Sequence, residues 1–186
     1  MKRMLIGCAV SLVCGAVCAD LADYVDPFVG TAGTGHTFPA ACVPFGMIQA
    51  GADTGYSGWE HCSGYIYGEK TIFGFTQTHL NGTGCSDLCD VRVMPVPGRR
   101  GRSPRPTDCA VEFDKASERA EPGYYAVTLK DPSVRVEIAA AEHSAIYRLT
   151  AVKDGELELL VEPKSMFGKT TELEKKSGEV GVFSFQ

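Results

Sequence analysis

From Asp108 onward, apolar and polar residues alternate with period two. Val111 and Phe113 alternate with charged neighbours, and Tyr125, Val127 and Leu129 share a face after the Pro122-Gly123 turn. Val134, Val136 and Ile138 alternate with Arg135 and Glu137 after the Asp131-Pro132-Ser133 break. Tyr147 and Leu149 oppose Arg148, and Leu157, Leu159 and Val161 alternate with Glu156 and Glu158. Lys153-Asp154-Gly155 is predicted to join those last two runs as a tight hairpin. Period-two patterning broken by a turn signal about every ten residues predicts an all-β fold, an antiparallel β-sandwich.

Upstream the pattern loosens. Residues 47–50, 72–78 and 91–95 are strand candidates separated by long glycine-rich stretches. Residues 114–121 allow one or two helical turns, and no segment has the 3.6-residue period of an amphipathic helix. Gly35-His36-Thr37-Phe38-Pro39, Val43-Pro44-Phe45-Gly46-Met47 and Gly74-Phe75-Thr76-Gln77-Thr78-His79-Leu80-Asn81-Gly82-Thr83-Gly84 combine glycine, aromatic, histidine and small hydroxyl residues. Such composition suits loops that bring backbone and polar groups close to a polar ligand. Function is expected in these loops and scaffold elsewhere.

The first 19 residues read as an export signal. Lys2 and Arg3 precede an apolar stretch too short to span a bilayer, and Val17-Cys18-Ala19 offers small residues for cleavage after Ala19. Lipidation at Cys18 is the alternative, disfavoured by the bulk of Val17. Residues 20–186 are then one domain, exported to the periplasm or beyond the cell, with no membrane span expected. A net charge of −5 argues against nucleic-acid partners. Arg99, Arg100, Arg102 and Arg105, broken by Gly101, Ser103, Pro104 and Pro106, read as a solvated loop. The mature chain keeps Cys42, Cys62, Cys85, Cys89 and Cys109. That odd set in an oxidising compartment implies buried small apolar residues, with room for one disulfide.

Asp53, Glu60, Asp87 and Asp90 stand near glycines or in turn-rich sequence and read as turn formers rather than an acid/base pair. His79, Cys85 and Cys89, with Cys62, raise a zinc site, but Cys-x3-Cys departs from the familiar knuckle spacing. The expectation is no metal ligand and no catalytic residue within this chain. Asn81-Gly82-Thr83 is read as a turn despite matching a glycosylation sequon. Residues 180–185 form an apolar run at the terminus, a strand whose neighbours lie outside the sequence. The chain is therefore expected to be a fragment of something larger.

Asp23-Tyr24-Val25-Asp26-Pro27-Phe28-Val29-Gly30-Thr31, the Gly35 and Val43 motifs, Gly58-Trp59, Cys62-Ser63-Gly64-Tyr65 and the Gly74 motif follow one another in characteristic order. With Pro122-Gly123-Tyr124-Tyr125-Ala126-Val127 and Tyr147-Arg148-Leu149-Thr150 they resemble the N-terminal domain of glycoside hydrolase family 92, calcium-dependent exo-α-mannosidases. The resemblance covers residues 20–161. It implies an N-terminal supersandwich-like domain packed on a C-terminal (α/α)6 barrel, which this chain lacks. It also implies hydrolysis of terminal α-linked mannose from glycans with inversion, the carboxylates and most calcium ligands lying in that barrel. The sugar-facing residues it implies are Gly35, His36, Trp59, Cys62 and Ser63. Trp59 would offer a flat apolar face to a pyranose and His36 a donor to a hydroxyl. Trp59 reads equally as a loop anchor, and Thr78, His79 and Asn81 as braces. Ala40-Ala41, Gln77, Asn81 and the residue before Asp53 depart from the family pattern, and the match fades past Glu162.

Two other functions remain open on the sequence. The same loops suit a stand-alone carbohydrate-binding module, and Cys62, Cys85 and Cys89 suit an exported thiol or metal protein.

Overall fold

The computed structural model describes residues 20–97, 110–153, 157–163 and 183–185, which form two five-stranded antiparallel sheets. The strands are β1 (Gly51–Asp53), β2 (Thr71–Ile72), β3 (Gly74–Thr76), β4 (Arg92–Pro97) and β5 (Val111–Glu121). They continue as β6 (Tyr124–Lys130), β7 (Ser133–Ala140), β8 (Ala145–Ala151), β9 (Leu157–Glu162) and β10 (Phe183–Phe185). One sheet runs β1-β3-β4-β9-β10 and the other β2-β5-β6-β7-β8. The all-β antiparallel sandwich expected from the alternation is the observed architecture. The leader with Cys18, the arginine cluster, Cys109 and residues 172–176 lie outside the described residues.

The core is the apolar face that period two predicts. Val111, Phe113, Tyr125, Val127, Leu129, Val134, Val136 and Ile138 are buried, and with Phe75, Met94 and Leu160 they form one cluster. Each such side chain stabilises the fold by about 1.5–3 kcal/mol when fully buried. A one-residue slip of β6 against β7 would turn Tyr125, Val127 and Leu129 away from the core, so the register Val127↔Val136 is strongly specified.

Several local expectations are corrected. Residues 114–121 are strand, not helical turn: β5 pairs β6 across them with a register shift between Asp114 and Arg119. The irregularity turns Glu118 inward, where it accepts from the hydroxyls of Tyr65 and Tyr125 and pairs with Lys115. Lys115 thus serves a buried carboxylate. The expected pairing of β8 with β9 is not found: β8 pairs β7, while β9 pairs β4 and β10 in the other sheet, and Asp154 and Gly155 of the expected turn lie outside the described residues. In β9 the buried residue is Leu160 rather than Leu157, Leu159 or Val161. Residues 72–78 split into β2 and β3, which enter different sheets. Residues 47–50 contribute only an isolated bridge, Ala41↔Ala50. Phe28 packs on the core, whereas Tyr24 is 78% exposed.

Among the described residues no helix is long and apolar enough to cross a membrane. A 3-10 turn, Leu21–Tyr24, opens the described chain. The long loops flanking β1 and β3 are tied to one another. Gly82 N–H donates to the His36 carbonyl at 2.7 Å, and Tyr67 N–H to the Thr31 carbonyl at 2.9 Å.

Candidate functional site

Three loop segments meet at His36. Its backbone is left-handed at φ 53°, a conformation rare outside glycine, and the preceding Gly35 lies against Gly30. A Cβ on Gly35 would stand 2.0 Å from the Gly30 carbonyl oxygen, so only glycine permits the approach. His36 is buried, and its Nδ1 lies 2.8 Å from Cys62 Sγ. Burial pushes the Cys62 thiol above its ordinary range, which keeps it protonated at neutral pH. If the protonated thiol gives its S–H to Nδ1, the ring's N–H is the one at Nε2. Among the described residues, Nε2 of His36 is the one buried side-chain nitrogen or oxygen without a partner.

The Trp59 ring meets the His36 ring edge-on, with centroids 4.5 Å apart at 73°, and is itself 56% exposed. Gly84 lies on the indole: a Cβ there would be 3.0 Å from Trp59 Nε1. Gly35, His36, Trp59 and Cys62 are therefore brought together. Ser63 follows Cys62 but turns inward, its hydroxyl within reach of the carbonyls of Thr37 at 3.3 Å and Tyr65 at 3.4 Å. The cluster sets an unpartnered ring nitrogen beside a partly exposed aromatic ring, groups of the kind that line sites for small polar ligands.

A second cluster lies behind the first. Asp53, His79 and Cys89 are all buried, with one ligand-type atom from each within 4.8 Å of the others. His79 Nδ1 is 2.7 Å from the Gln49 carbonyl and Nε2 is 3.1 Å from Asp53 Oδ1. Thr76 N–H donates to Asp53 Oδ2 at 3.0 Å. Burial and then the Asp53 charge hold the Cys89 thiol far above its ordinary range. The sequence did not foresee Asp53 here: adjacency to Gly51 and Gly55 suggested a turn, whereas β1 carries the residue into the interior. The four residues weighed as a zinc set do not meet, since Cys62 belongs with His36 and Cys85 is exposed. Cys42, Cys62, Cys85 and Cys89 are all free thiols.

Calcium takes six to eight oxygen ligands. The Asp53, His79 and Cys89 donors include nitrogen and sulfur and do not fit it. Other acids are committed locally: Asp87 Oδ1 accepts from Leu88 N–H at 2.8 Å, and Asp90 exchanges hydrogen bonds with Thr78. His61 anchors its own loop through the Ser57 carbonyl, and His143 is exposed.

Comparison with known proteins converges on one family. The model of the glycosyl hydrolase family 92 N-terminal domain matches residues 24–183. An uncharacterized secreted glycosidase of Arthroderma benhamiae is 32% identical over 149 residues, covering 77% of this chain and 19% of that protein. A family 92 α-mannosidase from Bacteroides thetaiotaomicron, solved in complex with mannoimidazole, is similar with a TM-score of 0.70. Its sequence identity is 36%, over 76% of this chain and 19% of that one. The family 92 glycosyl hydrolase ccman5 gives a TM-score of 0.68 at 30% identity, over 78% of this chain and 21% of that one. The chain thus spans about a fifth of the length of the relatives it matches. On the family match and the sandwich that carries it, the chain belongs to glycoside hydrolase family 92 as its N-terminal domain.

Proposed function

We propose that this domain is the glycan-facing part of an exo-acting α-mannosidase that removes terminal α-linked mannose with inversion, and that it performs no hydrolysis alone. The observation carrying the reading is the buried, unpartnered Nε2 of His36, whose ring meets the partly exposed Trp59 edge-on. A buried donor left unpaired costs about 1–3 kcal/mol, and a sugar hydroxyl offers the missing acceptor. Trp59 covers the C–H face of the pyranose and excludes water from that side. Gly35 keeps the loop backbone low enough for the sugar to approach, and Ser63 braces it.

Inversion needs a general acid and a general base about 6.5–9.5 Å apart, with water between the base and the sugar. Those carboxylates and the family's calcium, which would engage sugar hydroxyls, are assigned to the C-terminal domain. The protein is further proposed to be exported, with cleavage after Ala19, to the periplasm or the exterior.

The test is a domain exchange. This chain replaces the matching N-terminal fifth of the Bacteroides thetaiotaomicron α-mannosidase, and mannose release from an α-mannoside is measured. The chimera should turn over, while the isolated chain releases no mannose. A folded but inactive chimera, or turnover by the isolated chain, contradicts the proposal. Saturable binding of mannobiose by the isolated chain without turnover would instead favour a carbohydrate-binding module.

A further inference from the structure

We propose that Asp53, His79 and Cys89 form a structural site for one zinc-class divalent cation, ligated by Asp53 Oδ1, His79 Nε2 and Cys89 Sγ. Both groups facing the His79 ring at closest range, the Gln49 carbonyl and the Asp53 carboxylate, only accept hydrogen bonds. A neutral imidazole has one N–H and satisfies one of them. The other contact sets lone pair against lone pair unless a second proton or a metal ion stands there. The short 2.7 Å contact favours the proton on Nδ1, donated to a backbone carbonyl. Metal-bound histidines are commonly oriented in this way. The Nε2 lone pair is then left facing Asp53 Oδ1, with Cys89 Sγ within the same 4.8 Å group.

The donor set selects the ion. One imidazole nitrogen, one carboxylate oxygen and one sulfur suit zinc, with Thr76 Oγ1, 3.3 Å from Nε2, or a water as a fourth ligand. Gly64 keeps one side of the cluster free of a side chain. A Cβ there would lie 2.3 Å from Asp53 Oδ1 and 3.1 Å from Cys89 Sγ. Binding exchanges the Cys89 S–H proton, released to solvent, for the cation, and involves no oxidant. Such an ion would tie β1 to the loop between β3 and β4, directly behind the segment that presents Cys62 to His36. The proposal does not depend on the mannosidase reading.

The whole chain, stripped with chelator and dialysed, is offered zinc chloride or calcium chloride, and bound metal is counted by mass spectrometry. The same protein is loaded with cobalt chloride and its near-ultraviolet spectrum recorded. One zinc per chain, no retained calcium and a thiolate-to-cobalt charge-transfer band are expected. Cys89→Ala should weaken zinc binding by at least about tenfold, while Cys85→Ser leaves it unchanged. Folded wild-type protein that retains no zinc overturns the proposal. A cobalt spectrum without the thiolate band, or Cys89→Ala binding as tightly as wild type, overturns it too. The two wild-type measurements decide the matter even where the variant misfolds.

Discussion

Cys62 Sγ lies 2.8 Å from His36 Nδ1 across 26 residues of sequence, so the two buried side chains share one hydrogen bond. A thiol kept protonated by burial donates to Nδ1, so Nε2 is the donor left for a ligand. Cys62 is on this view a positioning residue for His36. In the domain-exchange enzyme, Cys62→Ala should lower kcat/KM for an α-mannoside about two- to tenfold, the worth of one neutral hydrogen bond. Cys62→Ser, which keeps a donor, should restore most of it, and His36→Ala should cost at least as much as Cys62→Ala. Equal losses in the alanine and serine variants would mean that Cys62 acts by packing alone.

Trp59 separates a sugar platform from a loop anchor. The indole is 56% exposed and touches His36 and Gly84. Removing an exposed ring changes stability by roughly 0.5 kcal/mol or less. Removing a stacked sugar partner costs about 1 kcal/mol or more, a fivefold or greater loss. Trp59→Ala should therefore leave the Tm of the isolated chain nearly unchanged while reducing kcat/KM of the domain-exchange enzyme. A Tm that collapses with unaltered kcat/KM per folded molecule assigns the ring to anchoring.

How much of this was legible without coordinates follows from how local each signal is. The faces of β6 and β7 were readable because Tyr125, Val127, Leu129, Val134, Val136 and Ile138 repeat with the pleat, and the core needs every one of them. β5 was misread between Asp114 and Glu121 because Glu118 is placed by a register shift and by tyrosines from two other segments. No local pattern encodes that partnership. In the loops, glycine-rich motifs announced Gly35 and His36, whereas the joining of His36 to Cys62 and of Asp53 to His79 and Cys89 is purely tertiary. Both pairings link residues more than 20 positions apart, beyond the reach of any turn rule.

Gly35 tests whether the loop geometry itself matters. The clash of an added methyl is with a backbone oxygen, at 2.0 Å, which no rotamer can relieve. Gly35→Ala should displace His36 and its contact with Trp59. The expected cost is about 1–3 kcal/mol of stability, together with loss of mannoside turnover in the domain-exchange enzyme. The melting curve of the isolated chain measures the first and initial rates measure the second. An alanine variant with wild-type Tm and rates would show that the segment from Gly30 to Gly35 relaxes freely.

Glu137 governs the acid limb of stability on the β6–β7–β8 face. Its carboxylate accepts two hydrogen bonds from Arg148, each at 2.7 Å, and one from the Tyr124 hydroxyl at 2.7 Å. Arg148 first and Tyr124 second pull its pKa from the ordinary 4.5 down to about 2. A carboxylate whose folded pKa is depressed binds fewer protons when folded than when unfolded. Its contribution is therefore complete above about pH 4.5 and is lost as pH falls towards 2. Glu137→Gln should accordingly lower Tm by a constant margin near neutral pH, and that margin should shrink below pH 4.5 and vanish near pH 2. Because Arg148 is largely exposed, the margin should also narrow as salt is added. A margin that stays flat from pH 5 to pH 2.5 would mean the pair contributes through shape rather than charge.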